Sequence, residues 1–261
     1  MKTIKALTLT SIALALCGAG QIASAHTGIQ NKIDVPATGS GTVYNNIVIG
    51  HTCEQANGSH IPVIAQSVVL PTVNPTITEG SGTGTASTKT IGDLLQKSAT
   101  DTAAVTTLAN LAQLIQSKDI FSAQREKFDS SGDNVIGFEG TKGKLDSSLH
   151  GLVPFRVGGL FFKPTACIKT LNVKIAIADI CKLTFKTGGP AKGAANIWMQ
   201  TKTNKFTTDV DGIGSPATLT FTNTATTVDP TCTNGNNIDY SIWPSNDDID
   251  ANLPIKKYWG R

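Results

Sequence analysis

Between Cys167 and Cys181 the chain alternates with period two. Leu171, Val173, Ile175 and Ile177 are separated by Asn172, Lys174, Ala176 and Ala178. Successive side chains of a strand point to opposite faces, so this pattern reads as a half-buried β-strand and leaves no room for a helix. The same signature recurs elsewhere. Val43, Asn45, Ile47, Ile49, His51 and Cys53 share one face, and Leu219 and Phe221 alternate with Thr218, Thr220 and Thr222. Residues 62–70 are apolar, rich in Val and Ile, and closed by Pro71. Gly188-Gly189-Pro190, Asp211-Gly212 and Asn234-Gly235 mark turns. Many short strands divided by such turns predict a mainly β chain, an antiparallel β-sandwich.

Two segments depart from the pattern. Residues 74–92 are rich in Thr, Ser and Gly and read as a loop or linker. Beyond them Asp101 can cap a helix, and Val105, Leu108, Ala112 and Ile115 fall at helical spacing, with a shorter stretch at 120–128. The spacing therefore predicts a helical insertion over about 91–128, within a single sandwich domain of residues 26–261.

The first 25 residues have another character. Lys2 and Lys5 precede an apolar run at 6–17, and Ala23-Ser24-Ala25 supplies small residues at the end. That order is a secretion signal, with an apolar part too short to span a bilayer. Cleavage after Ala25 makes His26 the first residue. A lipidation signal at Cys17 is disfavoured by Leu16, which stands where such sites want a small residue. The mature chain carries no further apolar run long enough for a membrane span. It holds twenty basic and nineteen acidic residues, a net charge of +1. So even a balance is no footprint for nucleic acid. The expected location is the periplasm, or the medium or cell surface.

Export removes Cys17 and leaves Cys53, Cys167, Cys181 and Cys232. An even number in an oxidising compartment predicts two disulfides, with three ways of pairing. Cys167 with Cys181 is the local option, which would leave Cys53 with Cys232. No C-x-x-C occurs, which argues against a zinc ribbon, a thioredoxin-type site and a c-type haem.

Histidine is scarce: His26, His51, His60 and His150. After cleavage His26 offers an α-amino group and an imidazole, two nitrogens that can chelate one copper ion, and a second imidazole can complete an all-nitrogen site of the kind copper favours. His51, on the face of Ile47 and Ile49, is the candidate for that second ring. His60 lies in a polar turn and His150 has no evident partner.

The runs His26-Thr-Gly-Ile-Gln, Val35-Pro-Ala-Thr-Gly-Ser-Gly-Thr-Val, Ile49-Gly50-His51-Thr52-Cys53 and Pro62-Val-Ile-Ala-Gln-Ser-Val-Val-Leu-Pro71 resemble the YcnI-type periplasmic copper-binding proteins. The resemblance covers about the first fifth of the mature chain, and Thr52 stands where that family has Gly. It implies a β-sandwich with copper held by the N-terminal histidine, and further ligands in a carboxylate and a tryptophan. Trp198 and Trp243 are the candidates for the latter. The function it implies is copper acquisition, storage or delivery, with His26 and His51 as metal residues.

A calcium ion is the second cofactor to consider. Asp129-Ser-Ser131-Gly-Asp133-Asn134-Val-Ile136 has oxygen-bearing residues at positions 1, 3 and 5 of an EF-hand-like loop, but position 12 is Gly140, with Glu139 one residue early. Asp248-Ile-Asp250-Ala-Asn252 repeats the short spacing more weakly. No hydrolase, metalloprotease or phosphate-loop motif occurs. The chain is therefore read as a binding protein. A disulfide-stabilised surface structural protein, calcium-binding or not, is the alternative. A copper oxygenase ranks third, because aromatic residues make up only 6% of the chain.

Overall fold

The computed structural model describes residues 26–183 and 189–255. The expected signal segment and Gly188 lie outside them. Along the first half run β1 (Gly28–Ile29), β2 (Ile33–Val35), β3 (Val43–Ile49), β4 (Cys53–Glu54), β5 (His60–Ile61), β6 (Ala65–Val69), β7 (Thr76–Glu79), β8 (Thr85–Ala86), α1 (Ile91–Leu94) and β9 (Leu95–Gln96). They are followed by β10 (Ala112–Leu114), β11 (Phe121–Phe128), β12 (Val135–Gly143), β13 (Gly151–Val157), β14 (Phe161–Phe162), β15 (Ile168–Ile180), β16 (Ala195–Trp198), β17 (Ala217–Asn223), β18 (Ile238–Trp243) and α2 (Asn246–Asn252).

The chain is mostly β, as its alternation requires, and the strands form a sandwich. One sheet has four antiparallel strands in the order β1-β3-β13-β10. The other has ten, built around β15. The alternating stretch at 171–177 is the middle of this 13-residue strand. Its first half lies between β17 and β18, and its second half between β6 and β16. Apolar side chains of β3 and β13 (Ile47, Ile49, Val153, Phe155) face those of β15 and β17 (Leu171, Val173, Leu219, Phe221) in one core. The far face of the large sheet is covered too. There Val69, Ala176, Ala178 and Ile197 pack with Ile249 of α2 and Leu253, which caps its C-terminal end. Burial on both faces explains why β6 is buried at every position, its Gln66 and Ser67 included.

Three expectations are corrected. The large sheet is mixed: β18 runs parallel to β15, and β2 parallel to β17. β17 runs against β15, and the connection at 224–237 carries the chain to the other edge of β15, where β18 must run with it. Residues 74–92 are not a linker, because β7 pairs with β18 and folds back as a hairpin with β8. Gly84 makes this turn at φ +62°, where a Cβ would stand 2.6 Å from the Glu79 carbonyl oxygen.

The predicted helical insertion at about 91–128 is replaced by one helical turn, irregular chain and three strands, β9, β10 and β11. α1 is closed by a Thr90–Asp93 capping box and ends at Leu94. Leu108, Leu111 and Ala112 are buried at the spacing read as helical. Asn110, between them, has φ +64°, which no right-handed helix tolerates. Asp101 caps only its own turn, accepting from the Ala103 N–H. The stretch at 121–128 hydrogen-bonds along β12 as an edge strand.

All four cysteines among the described residues are paired, as Cys53–Cys181 and Cys167–Cys232. The local pairing of Cys167 with Cys181 fails because the two residues flank the ends of β15. At roughly 3.3 Å per strand residue they stand about 45 Å apart, far beyond the reach of one bond.

Candidate metal centre

Asp179 is the one charged residue in the apolar run that ends β15, and it is fully buried. Register puts it directly between Gln66 of β6 and Asn196 of β16, so the three side chains share one face. That face is the inner one, since Ile177 and its opposite number Trp198 both belong to the core between the sheets.

Three donors converge on the carboxylate. Thr27 Oγ1 donates to Oδ2 at 2.5 Å, Trp198 Nε1 to Oδ2 at 2.7 Å, and Gln66 Nε2 to Oδ1 at 2.7 Å. Burial nevertheless pushes the Asp179 carboxyl above the ordinary carboxylate value, against the opposing pull of those hydrogen bonds and of the nearby His51. Among the described residues no lysine or arginine pairs with it. The ion pairs among the described residues are Arg125–Glu139 and Lys202–Asp209.

Two imidazoles lie against the same indole. The His26 ring centroid is 5.0 Å from that of Trp198, tilted by 38°. The His51 centroid is 5.6 Å away, edge-on at 82°. Thr27, one residue after His26, fixes this segment by its bond to Asp179. The segment carrying His51 is fixed by the Cys53–Cys181 disulfide, whose two ends lie two residues from His51 and two from Asp179. His51 Nδ1 is 2.8 Å from the Thr52 carbonyl oxygen. A carbonyl can only accept, so Nδ1 is the donor, and Nε2 is the ring nitrogen left over for a metal. Orientation of one ring nitrogen by a backbone carbonyl is the usual arrangement of a metal-binding histidine.

The donor chemistry fits a copper ion in a particular way. Among the described residues no three His, Cys, Asp or Glu side chains form a ready cluster. Both Asp179 oxygens are already engaged, so this carboxylate supplies charge beneath the rings and not a free coordinating atom. The nitrogen donors are the His26 imidazole, His51 Nε2 and, in a chain cut before His26, the terminal amine. The indole face of Trp198 adds an electron-rich wall.

Of the residues singled out in the sequence, His26 and His51 are brought together, and Trp198 joins them. Trp243 does not. Its indole N–H donates to Thr78 Oγ1 at 3.0 Å, and its ring lies under Lys174 Nζ at 5.0 Å, on the other half of the sheet. His60 and His150 are exposed. The Asp129 loop is the turn between β11 and β12, flanked by strands where an EF-hand has helices. Asp129 accepts from Ser131, Gly132 and Asn134 of its own turn, and these bonds lower its carboxyl to about 2. Asp248 and Asp250 lie on α2. Asp248 ties down the 72–73 backbone, and Asp250 accepts from Thr203 and Lys205. Asp179, Gln66 and Thr27 are absent from the residues the sequence suggested. A lone carboxylate in Ile175-Ala-Ile-Ala-Asp179-Ile was the available signal for the first. Compared with known proteins, the chain matches no protein-family model, no curated protein and no solved structure, so the assignment of chemistry rests on geometry.

Proposed function

We propose that this is an exported copper-binding protein that serves copper acquisition, storage or delivery, and that the mature N-terminal His26 and His51 hold the ion. The observation that carries the reading is the meeting of both rings on buried Trp198, above a carboxylate that has no basic partner. A buried ionised carboxylate is costly unless a cation neutralises it. A copper ion held by the two histidines would supply that charge, and nitrogen donors suit copper. A site in the cell envelope or outside it agrees with two disulfides. No helix among the described residues is long and apolar enough to cross a membrane.

The test is a competition titration of copper into mature protein that begins at His26, beside His26→Ala and His51→Ala. Either substitution should weaken binding by about a hundredfold or more, the scale expected for loss of a metal ligand or its close support. Unchanged affinity in both would return the chain to the structural reading, a disulfide-held surface protein.

A further inference from the structure

The sandwich leaves two sheet surfaces open to water, and they differ in kind. An open sheet face is ordinarily polar. The open part of the large sheet, along β15, β17 and β18, follows this rule. There Thr220 Oγ1 donates to Asn172 Oδ1 at 2.9 Å, Thr170 Oγ1 to Asp239 Oδ1 at 2.7 Å and Lys174 Nζ to Thr218 Oγ1 at 3.0 Å. The outer face of the four-stranded sheet departs from it. Register on β3 and β13 pairs Tyr44 with Arg156, Asn46 with Pro154 and Val48 with Leu152. Their neighbours along each strand are the core residues, so all six point outward. Tyr44 is 71% exposed and Leu152 49%. Leu149, in the bend leading into β13, is exposed as well.

Arg156 is the one charged residue of these six, and no acid answers it. It belongs to neither ion pair of the described residues, and its Nε is buried without a hydrogen-bond partner. A half-buried guanidinium in this state gains when a carboxylate arrives to accept from it. A tyrosine and an arginine among apolar neighbours, with no Lys, Asp or Glu, is the composition of an interface centre. A second copy fits poorly, since two such faces stacked would bring together two arginines and no acid. Four strands about 4.8 Å apart and seven residues of about 3.3 Å give at most roughly 450 Å². A standard interface takes about 800 Å² from each partner. The area suits one extended segment. The chain's own segments outside the described residues, 1–25, 184–188 and 256–261, contain no Asp or Glu to offer.

We propose that the outer face of the β1-β3-β13-β10 sheet is the docking surface for another protein, which lays on it one apolar segment carrying an Asp or Glu. The apolar side chains of that segment cover Tyr44, Val48 and Leu152, and its carboxylate accepts from Arg156. The surface goes beyond the copper reading and does not depend on it, since Asp179 belongs to the other sheet.

The probe is a random peptide library displayed on phage and selected on the exported protein. Selected peptides should carry an Asp or Glu beside aromatic or branched apolar residues. The strongest is then synthesised and titrated into the parent, Tyr44→Ser, Arg156→Gln and, as a control, Val228→Ser, an exposed apolar residue elsewhere. Affinity should fall about tenfold in each of the first two, the scale of one interface hot spot, and stay level in the control. Changing the peptide's acid to its amide should cost the parent as much and Arg156→Gln almost nothing, which shows that the two groups meet. Tyr44 is a surface residue, so Tyr44→Ser should melt with the parent, and it carries the test if Arg156→Gln folds poorly. A library that yields no peptide overturns the proposal, as do peptides without an acid or peptides bound equally by Tyr44→Ser. So does a parent dimer in sedimentation that Tyr44→Ser makes monomeric, which gives the face to a second copy. Binding on a glycan array that Tyr44→Ser abolishes, with no peptide selected, gives it to a sugar and equally overturns a protein partner.

Discussion

The indole N–H of Trp198 donates to Asp179 Oδ2 at 2.7 Å, and both residues are buried. The bond joins the ring against which His26 and His51 pack to the carboxylate beneath them. Trp198→Phe keeps a ring in the place but removes the donor from a buried acceptor. Thr27 still donates to the same oxygen, so the cost should be that of one lost hydrogen bond to a buried carboxyl, about 1–2 kcal/mol, as read by urea unfolding. Copper affinity should fall in the same variant. A Phe variant as stable as the parent would show that the bond contributes nothing.

The two disulfides make separate predictions. Peptide mapping without reduction should recover Cys53 linked to Cys181 and Cys167 linked to Cys232. A fragment joining Cys167 to Cys181 would contradict the strand between them. Cys53–Cys181 spans 128 residues against 65 for the other bond, and only it adjoins the histidines. Replacing Cys53 and Cys181 by Ala should cost about 2–5 kcal/mol and weaken copper binding. Replacing Cys167 and Cys232 should cost stability and leave copper affinity near that of the parent.

Lys127 sets a pH dependence remote from the site. Its ammonium donates to Ser67 Oγ and to the Asn252 carbonyl at the end of α2, both at 2.5 Å. Burial pulls it down to about 8 from 10.5, with Glu139 opposing and Arg125 reinforcing the shift. Between those values the unfolded chain holds the proton more tightly than the folded one. Stability contributed by this residue therefore rises as pH climbs from about 8 to 10.5. Urea midpoints across that window should rise less in Lys127→Met than in the parent. Parallel curves would remove Lys127 as the cause.

The sandwich was legible in the chain because alternation is a local property: β3, β15 and β17 lie where the period-two pattern lies. The segment at 91–128 misled for a reason equally local. Leu108, Leu111 and Ala112 have the spacing of one helix face, but the burial comes from tertiary contacts around a left-handed Asn110. The site was half legible. His26 and His51 carry recognisable chemistry in themselves. Asp179, Gln66 and Asn196 become a row only through the pairing of three strands, one of them, β6, about a hundred residues before the other two in the chain, which no spacing announces. The cysteine count implied two bonds; the length of β15 excludes the local pairing, and only the folded arrangement of the strands selects between the other two.

The central claim is that the amine and ring of His26, freed at the chain terminus, bind copper together with His51. The amine chelates only where it ends the chain, and metal binding itself promotes its deprotonation. One residue added before His26 displaces the amine and leaves both imidazoles, Trp198 and Asp179 as they are. Copper affinity of the authentic and extended proteins, measured by competition under identical conditions, is therefore the most direct measurement. The account predicts binding about a hundredfold or more weaker in the extended protein, with thermal stability of the copper-free forms alike. Equal affinity in the two would contradict it.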